Sequence, residues 1–404
     1  MNRCEGGVVV DRALDGIRVL DLSRVYAAPA GSMILADLGA DVIRIESPMG
    51  TDSMRDWGPF MNGHSSYYFT ANRNKRSITL NLKSHEGLTI FKQLVAKADI
   101  VLENFKTGTL KKLGIDFDEL KKINNRIILC SVTGFGQTGP MRTEPGFDPV
   151  IQAMSGLMDV TGHPDGEPTK VGIPIADILT SKYVAIGILA ALRMRDNNGV
   201  GQHIDLSLLD VQISSMANIA SGYLNTGMES KRLGNQHNNV VPYQVFDCKD
   251  QPLMICVGNN HLFSQLCTLL DKSEWVNDHR FQTNEKRLEY KDILVPWIAE
   301  QMLANTADNW LEKFSQYGIP AGKVNRITQA FNDPQVIARE TVGTMSHPVM
   351  GEVKLTKSPL RFSGLNIRWV LPPPILGEHT NLFLQEELGL GEGEIAALKK
   401  QGVI

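Results

Sequence analysis

Cysteine is scarce in this sequence, and what there is stays unpaired. The five cysteines, Cys4, Cys130, Cys248, Cys256 and Cys267, are odd in number, scattered, and form no C-x-x-C. That usage argues against a disulfide framework and for free thiols in a reducing compartment. The nine histidines include no H-x3-H pair and no Cys/His cluster, which argues against a dedicated zinc site. A long apolar run is missing too: the longest, Val184–Leu192, is too short to span a bilayer. So is an excess of either charge. Lys and Arg number 41 against 44 Asp and Glu, a net charge of −3, so there is no footprint for nucleic acid or an anionic membrane. The opening "MNRCEGGVVVDRALDG" shows neither an apolar signal core nor an Arg- and Ser-rich amphipathic helix. Neither G-x-S-x-G nor H-E-x-x-H occurs, and no repeat or low-complexity tract is present.

What remains is an ordinary soluble composition, 42% apolar and 21% charged, in a 404-residue chain long enough for two domains. "IRVLDLS" (17–23) reads as a buried strand and "AGSMILADLGADVIRIE" (30–46) as a helix running into a second strand. "EGLTIFKQLVAKADIVLENF" (86–105) and "FDELKKINNRIILCSVTGFG" (117–136) repeat the helix–strand unit. Such alternation predicts an α/β fold, a parallel sheet covered by helices with ligands at the strand ends. A further helix is expected over about 176–196. The pattern then changes: a loop and a hairpin around "CKDQ", short helices near 261–271 and 291–316, and a returning strand in "YGIPAGKV" predict a smaller α+β domain at 225–330. Residues 1–205 and 335–404 are assigned to the large domain, with 206–224 and 331–334 as linkers and a last helix near 380–389.

Four motifs carry candidate chemistry. "GFGQTGP" (134–140) matches G-x-G-x-x-G after a strand, but Pro140 and the unpatterned "MRTEPGFD" leave no helix for the glycines to open, so a plain turn is expected. "NRNKRSITLNLKS" (72–84) is either a solvated edge strand or a cradle for a polyphosphate tail. Asn104, Phe105 and Lys106 follow a predicted strand, where an aromatic, an amide and an ammonium could hold a base and a phosphate; a plain strand-to-helix loop is the alternative. Asp177, in "KVGIPIADILTSKY", reads most simply as a helix N-cap. The alternative is a nucleophilic carboxylate, ionised at neutral pH from a reference pKa near ~3.9 and strong enough against a thioester.

Several long stretches, in order, resemble one family: "LDGIRVLDLSRVYAAPAGSMILADLGADVIRIE", "NRNKRSITLNLK", "ADIVLENF", "SVTGFGQTGP", "GFDPVIQAMSGLMDVTGHPDGEPTKVGIPIADI", "GQHIDLSLLD" and "LGEHT". From about residue 14 onward the chain resembles the family III CoA-transferases, the formyl-CoA transferase and carnitine CoA-transferase group. The resemblance implies a Rossmann-like large domain built from both chain ends, a smaller α+β domain, and an interlocked homodimer. It places the nucleophile on Asp177. CoA contacts fall on Tyr26 and Ala27, on Leu80 to Lys83, on Asn104, Phe105 and Lys106, and on Lys112. Where the family has a basic CoA contact this chain has Ser47, so Arg73, Lys75 and Arg76 are expected to supply the positive charge. Where formyl-CoA transferase has a tyrosine, Phe147 stands here, followed by Asp148 as a substrate contact. "GNQHNNVVPY" (234–243), with Asn235, His237, Asn238 and Asn239, is the implied lid.

The activity implied is transfer of CoA from succinyl-CoA to a dicarboxylic acid, with glutarate the expected acceptor, through aspartyl anhydride and aspartyl-CoA intermediates. CoA enters as a substrate; no ATP, metal or redox cofactor is required. Arg55, Arg73 or a loop amide would hold the acid's distal carboxylate. The partners implied are small molecules and a second copy, with no nucleic acid and no membrane, in the mitochondrial matrix. The rivals are an acyl-CoA racemase of the same superfamily, a non-catalytic CoA-binding protein and a dinucleotide oxidoreductase. Racemases carry a histidine base before the Asp of "GFDP"; this chain has Phe147, which takes no proton.

Overall fold

The structure, a computed structural model, describes residues 12–365 and 367–404; Cys4 and most of the opening segment lie outside them. These residues form two compact units. One holds the chain to Leu157, Lys170–Ala220 and Arg339–Ile404; the other holds Met158–Thr169 and Ser221–Ala338.

The first unit is built on six strands: β1 (Arg18–Asp21), β2 (Asp41–Glu46), β3 (Lys75–Thr79), β4 (Ile100–Glu103), β5 (Ile128–Thr133) and β6 (His203–Ser207). All neighbours pair in parallel, in the order β3-β2-β1-β4-β5-β6. β1, β2, β4 and β5 are runs of Val, Ile and Leu because both faces of the sheet are covered. This doubly wound order reverses direction between β1 and β4, and a crevice opens beyond their carboxyl ends at such a point.

One face packs on α1 (Ala27–Asp37) and the other on α2 (His85–Val95), with α3 (Thr109–Leu113) and α4 (Phe117–Ile123) following β4. α5 (Asp148–Met154) and α6 (Ile175–Asn198) come next, then α7 (Leu208–Ser214) and α8 (Ala217–Thr226). α1 is almost wholly buried and made largely of small residues, so α6 lies close against it. A β-carbon on Gly31 would stand 2.6 Å from that of Val184, which fixes glycine there. Among the described residues α6 alone is long and apolar enough to cross a membrane, and it also contacts α7, β5 and β6. The region expected to be a linker, 206–224, is instead mostly helical: the Ser207 hydroxyl accepts from the Asp210 N–H at 3.2 Å and starts α7.

In the second unit, β7 (Tyr243–Asp247), β8 (Pro252–Cys256) and β9 (Ala321–Lys323) form an antiparallel sheet in the order β9-β8-β7. Its core joins Phe246 and Ile255 to α9 (Asn260–Leu269), α10 (Lys291–Met302) and α11 (Ala307–Gln316). The single helix expected over 291–316 is therefore two, because the Thr306 hydroxyl caps a new start by accepting from the Asn309 N–H. Residues 158–169, assigned from sequence to the large domain, belong here. The Gly234 N–H donates to the Gly162 carbonyl at 2.8 Å and Arg232 binds the Asp159 carboxylate at 2.9 Å, a pairing 73 residues apart that no local pattern reveals.

The C-terminal stretch, Arg339–Ile404, adds a hairpin of β10 (Val342–His347) and β11 (Gly351–Thr356) to the first unit, then α12 (Thr380–Leu388) and α13 (Glu392–Lys400). Its anchors include Arg18 on Glu387 at 2.6 and 2.7 Å, and the Asn81 N–H on the Val403 carbonyl at 2.7 Å.

Candidate active site

A cleft of about 340 Å3 opens beyond β1, β4 and β5. Its walls are the loop Arg24–Ala27 after β1, the loop Asn104–Thr107 after β4, the end of β5, the segment 142–147, Leu208, and Asp177 from α6. The two loops are stitched across the point where strand order reverses. The Arg24 N–H donates to Asn104 Oδ1 and Asn104 Nδ2 donates back to the Arg24 carbonyl, both at 2.8 Å. Between them Val25 adopts φ of 62°, a costly conformation for a β-branched residue, held by its N–H on Asp52 Oδ1 at 3.0 Å. That turn brings both Arg24 and Tyr26 to the cleft.

Asp177 is not an N-cap. α6 starts at Ile175, so Asp177 stands in its first turn. The cap comes from α5: Asp148 Oδ1 accepts from the Ala176 N–H at 2.7 Å and from the Asp177 N–H at 3.3 Å, while Oδ2 takes Gln152 Nε2 at 2.6 Å. Asp148 is thus buried and fully engaged, a holder of the helix rather than a substrate contact. No hydrogen bond or ion pair to the Asp177 carboxylate forms among the described residues. Burial first, and then the negative charge of Asp148, push its pKa up to about 7. The expectation of a carboxylate ionised like a free aspartate gives way to one held well above the usual carboxylate range.

Tyr26, Tyr67 and Trp57 stack in a row, at 6.0 and 5.9 Å between ring centres. Burial, followed by the charge of Asp177, raises both phenols, Tyr67 to about 12. Both therefore stay neutral and able to donate beside a carboxylate.

Of the residues expected to bind CoA, Tyr26, Ala27, Asn104, Phe105 and Lys106 share the cleft with Asp177, as does Phe147. The basic run is a correction. Lys75 is fully buried and its Nζ binds Asp21 (3.0 Å), the Pro29 carbonyl (2.8 Å) and Asn72 (3.1 Å). Arg73 is buried on Asp37 and the Thr356 carbonyl, and Arg76 pairs with Asp41 at 2.6 Å. Leu80 is a core residue, while Lys83 and Lys112 are exposed and outside the cleft wall. Arg55, bound to both oxygens of Glu46 and to the Tyr68 hydroxyl, is not in the cleft wall. The cations that do line the cleft are Arg24, Lys106 and Arg142. Sequence reasoning passed over Arg24 and Arg142, although strand-end position was the signal available for Arg24.

The glycine turn opens no helix. A β-carbon on Gly134 would come within 2.6 Å of the Gly146 α-carbon, so the glycines let two backbones touch, and the Gln137 N–H is given to Asp205 at 3.0 and 3.1 Å. A second cleft, of about 560 Å3, shares Lys106, Thr107 and Arg142 with the first and has Glu103 and His203 in its wall. Burial raises Glu103 to about 7, and its carboxylate takes the Phe105 N–H at 2.7 Å. Asn235, His237, Asn238 and Asn239 belong to the second unit. There the Asn239 N–H donates to His237 Nδ1 at 3.0 Å and the His237 ring tilts on Tyr243 at 5.0 Å.

Comparison with known proteins bears on this site. The model of CoA-transferase family III matches residues 14–380. The chain is 39% identical to the succinyl-CoA:glutarate CoA-transferase of Mus musculus, over 97% of this chain and 90% of that one. It is 41% identical to the succinate–glutarate CoA-transferase of Agrobacterium fabrum, over 92% and 95%. A crystal structure of a CAIB/BAIF family protein from Brucella suis superposes with a TM-score of 0.83 at 41% identity, covering 93% of this chain and all of that one. The chain therefore belongs to CoA-transferase family III and is a CoA-transferase.

Proposed function

We propose that this enzyme moves CoA from succinyl-CoA to a dicarboxylic acid, glutarate foremost, with Asp177 as the nucleophile. One observation carries the reading: a carboxylate in the wall of a strand-end cleft, with no hydrogen bond or ion pair among the described residues. The ionised Asp177 attacks the succinyl thioester carbonyl; the C–S bond breaks and CoA leaves as thiolate, giving a mixed anhydride. The thiolate attacks the aspartyl carbonyl, succinate departs, and an aspartyl-CoA thioester remains. Glutarate attacks that thioester, releases the thiolate and forms a second anhydride. The thiolate then takes the glutaryl group, and the Asp177 carboxylate is regenerated with no net proton change.

CoA is larger than the first cleft, so in this reading it runs from Asp177 past Lys106, Thr107 and Arg142 into the second. Those two cations meet its phosphates, and Phe105 offers a stacking face. The neutral Tyr26 and Tyr67 hydroxyls supply donors for the oxyanions. Two copies interlock, supported by the apolar face that Val150, Met154, Tyr183, Ile186, Leu189 and Met194 expose on α5 and α6; sedimentation should give a dimer. Residence in the mitochondrial matrix belongs to the same proposal and is tested by where a tagged chain fractionates.

The decisive assay offers labelled succinate, glutarate, malate, oxalate and 3-hydroxy-3-methylglutarate with succinyl-CoA. Glutarate should give the highest kcat/KM. Label exchange with none of these acids would remove the reading.

A further inference from the structure

A dicarboxylic acid must be held by the carboxylate that does not react, and the cations expected for that task are engaged elsewhere. Arg55 is committed to Glu46, and Arg73 to Asp37. Of the three cations on the cleft wall, Lys106 and Arg142 are exposed, and Arg142 shares its loop with the oppositely charged Glu144. Arg24 differs. It is half-buried, and its guanidinium lies over the Phe105 ring, 5.3 Å from the centroid. Its side chain has no hydrogen bond and no ion pair among the described residues. The carboxylates whose charge it feels, Asp52 and Glu46, are bonded to Arg44 and Arg55.

We propose that Arg24 is the specificity residue that grips the distal carboxylate of the acyl group and of the acceptor acid. A guanidinium held over a ring, with no hydrogen-bond partner of its own, has N–H groups to offer a carboxylate. The backbone of Arg24 is fixed on both sides by Asn104 and by the strained Val25, so the grip is preformed. Burial lowers the pKa of Arg24, and the charge of Arg44 lowers it further, against the opposing charges of Asp52 and Glu46. Arg24, from the loop after β1, and Asp177, from the first turn of α6, line the same cleft.

The inference rests on Asp177 as the nucleophile, and the test separates the two. Aspartyl adduct formation is measured with succinyl-CoA and with butyryl-CoA, which has the same four-carbon acyl chain without the distal carboxylate. Transfer to glutarate is measured against transfer to butyrate. Arg24→Gln should lower kcat/KM for succinyl-CoA and for glutarate roughly 10- to 100-fold. The loss with butyryl-CoA should be at least about tenfold smaller than the loss with succinyl-CoA, and an unchanged melting temperature shows that the variant folds. Arg24→Lys should recover part of the loss. Equal losses with both donors would overturn the inference, since Arg24 would then serve CoA or the fold; no loss with either would do the same. A wild type that reacts with neither donor at Asp177 sinks the nucleophile reading, a pattern that neither of those outcomes resembles.

Discussion

Glu46 and Asp177 are both largely buried carboxylates of the first unit, and they differ in what surrounds them. Glu46, at the end of β2, meets Arg55 at 2.6 and 2.9 Å, Arg44 at 3.3 Å and the Ser77 hydroxyl at 3.1 Å. These partners outweigh its burial and hold its pKa down to about 2. Asp177 has burial without the partners, and the nearest charge acting on it is another carboxylate, Asp148, so its pKa rises to about 7. Around Glu46 the network also takes in Asp21, Asp52 and Lys75, a closed set in which cations meet carboxylates. One region is organised to keep charge still. The other leaves a carboxylate uncompensated, which is what a nucleophile needs if it is to form covalent bonds rather than salt bridges.

The comparison breaks hardest where chemistry depends on it. Asp177→Ala should lower CoA exchange by roughly 10^4-fold or more while the protein stays folded, measured as label transfer between succinate and succinyl-CoA. Breaking the closed network should do the reverse. Lys75→Met takes from the buried Asp21 its bonded cation, leaving the Ser23 and Ser32 hydroxyls and Arg44 at 3.9 Å, and should cost about 3 kcal/mol in denaturant unfolding.

Asp177→Asn should stabilise the protein at pH 8. The raised acid makes the native state bind more protons than the unfolded one between its ordinary value of 3.8 and about 7, so wild-type stability falls as pH rises through that window. Removing the charge recovers roughly 2–4 kcal/mol at pH 8, and the two melting curves should converge below about pH 4. Catalysis should follow the opposite slope. Because the carboxylate attacks, kcat/KM rises with pH toward a plateau above about 7. Asp148→Asn keeps an oxygen for the Ala176 N–H and removes the charge, so the rise should move to lower pH. The smallest effect concerns the racemase alternative: acyl-CoA incubated with the enzyme in heavy water should gain no α-deuterium, because Phe147 takes no proton.

The sheet and its crevice were legible in the sequence because buried parallel strands are written as local Val, Ile and Leu runs. Asp177 was legible through the motifs around it. Its state was not. The residue that both caps α6 and raises Asp177 lies 28 and 29 positions away, on another helix. The basic run 73–76 misled for the same reason. Exposed cations and buried paired ones look alike until the fold brings Asp21, Asp37 and Asp41 from 54, 36 and 35 residues away. Arg24 carried no motif of its own; only the strand order shows that it sits where direction reverses.

The most direct test of an uncompensated nucleophile is to trap it. The enzyme is mixed with succinyl-CoA, quenched with hydroxylamine, digested, and the modified peptide sequenced by mass spectrometry. The account predicts a hydroxamate on Asp177, absent without succinyl-CoA. A hydroxamate on any other residue, or none from a preparation that turns over, would contradict it.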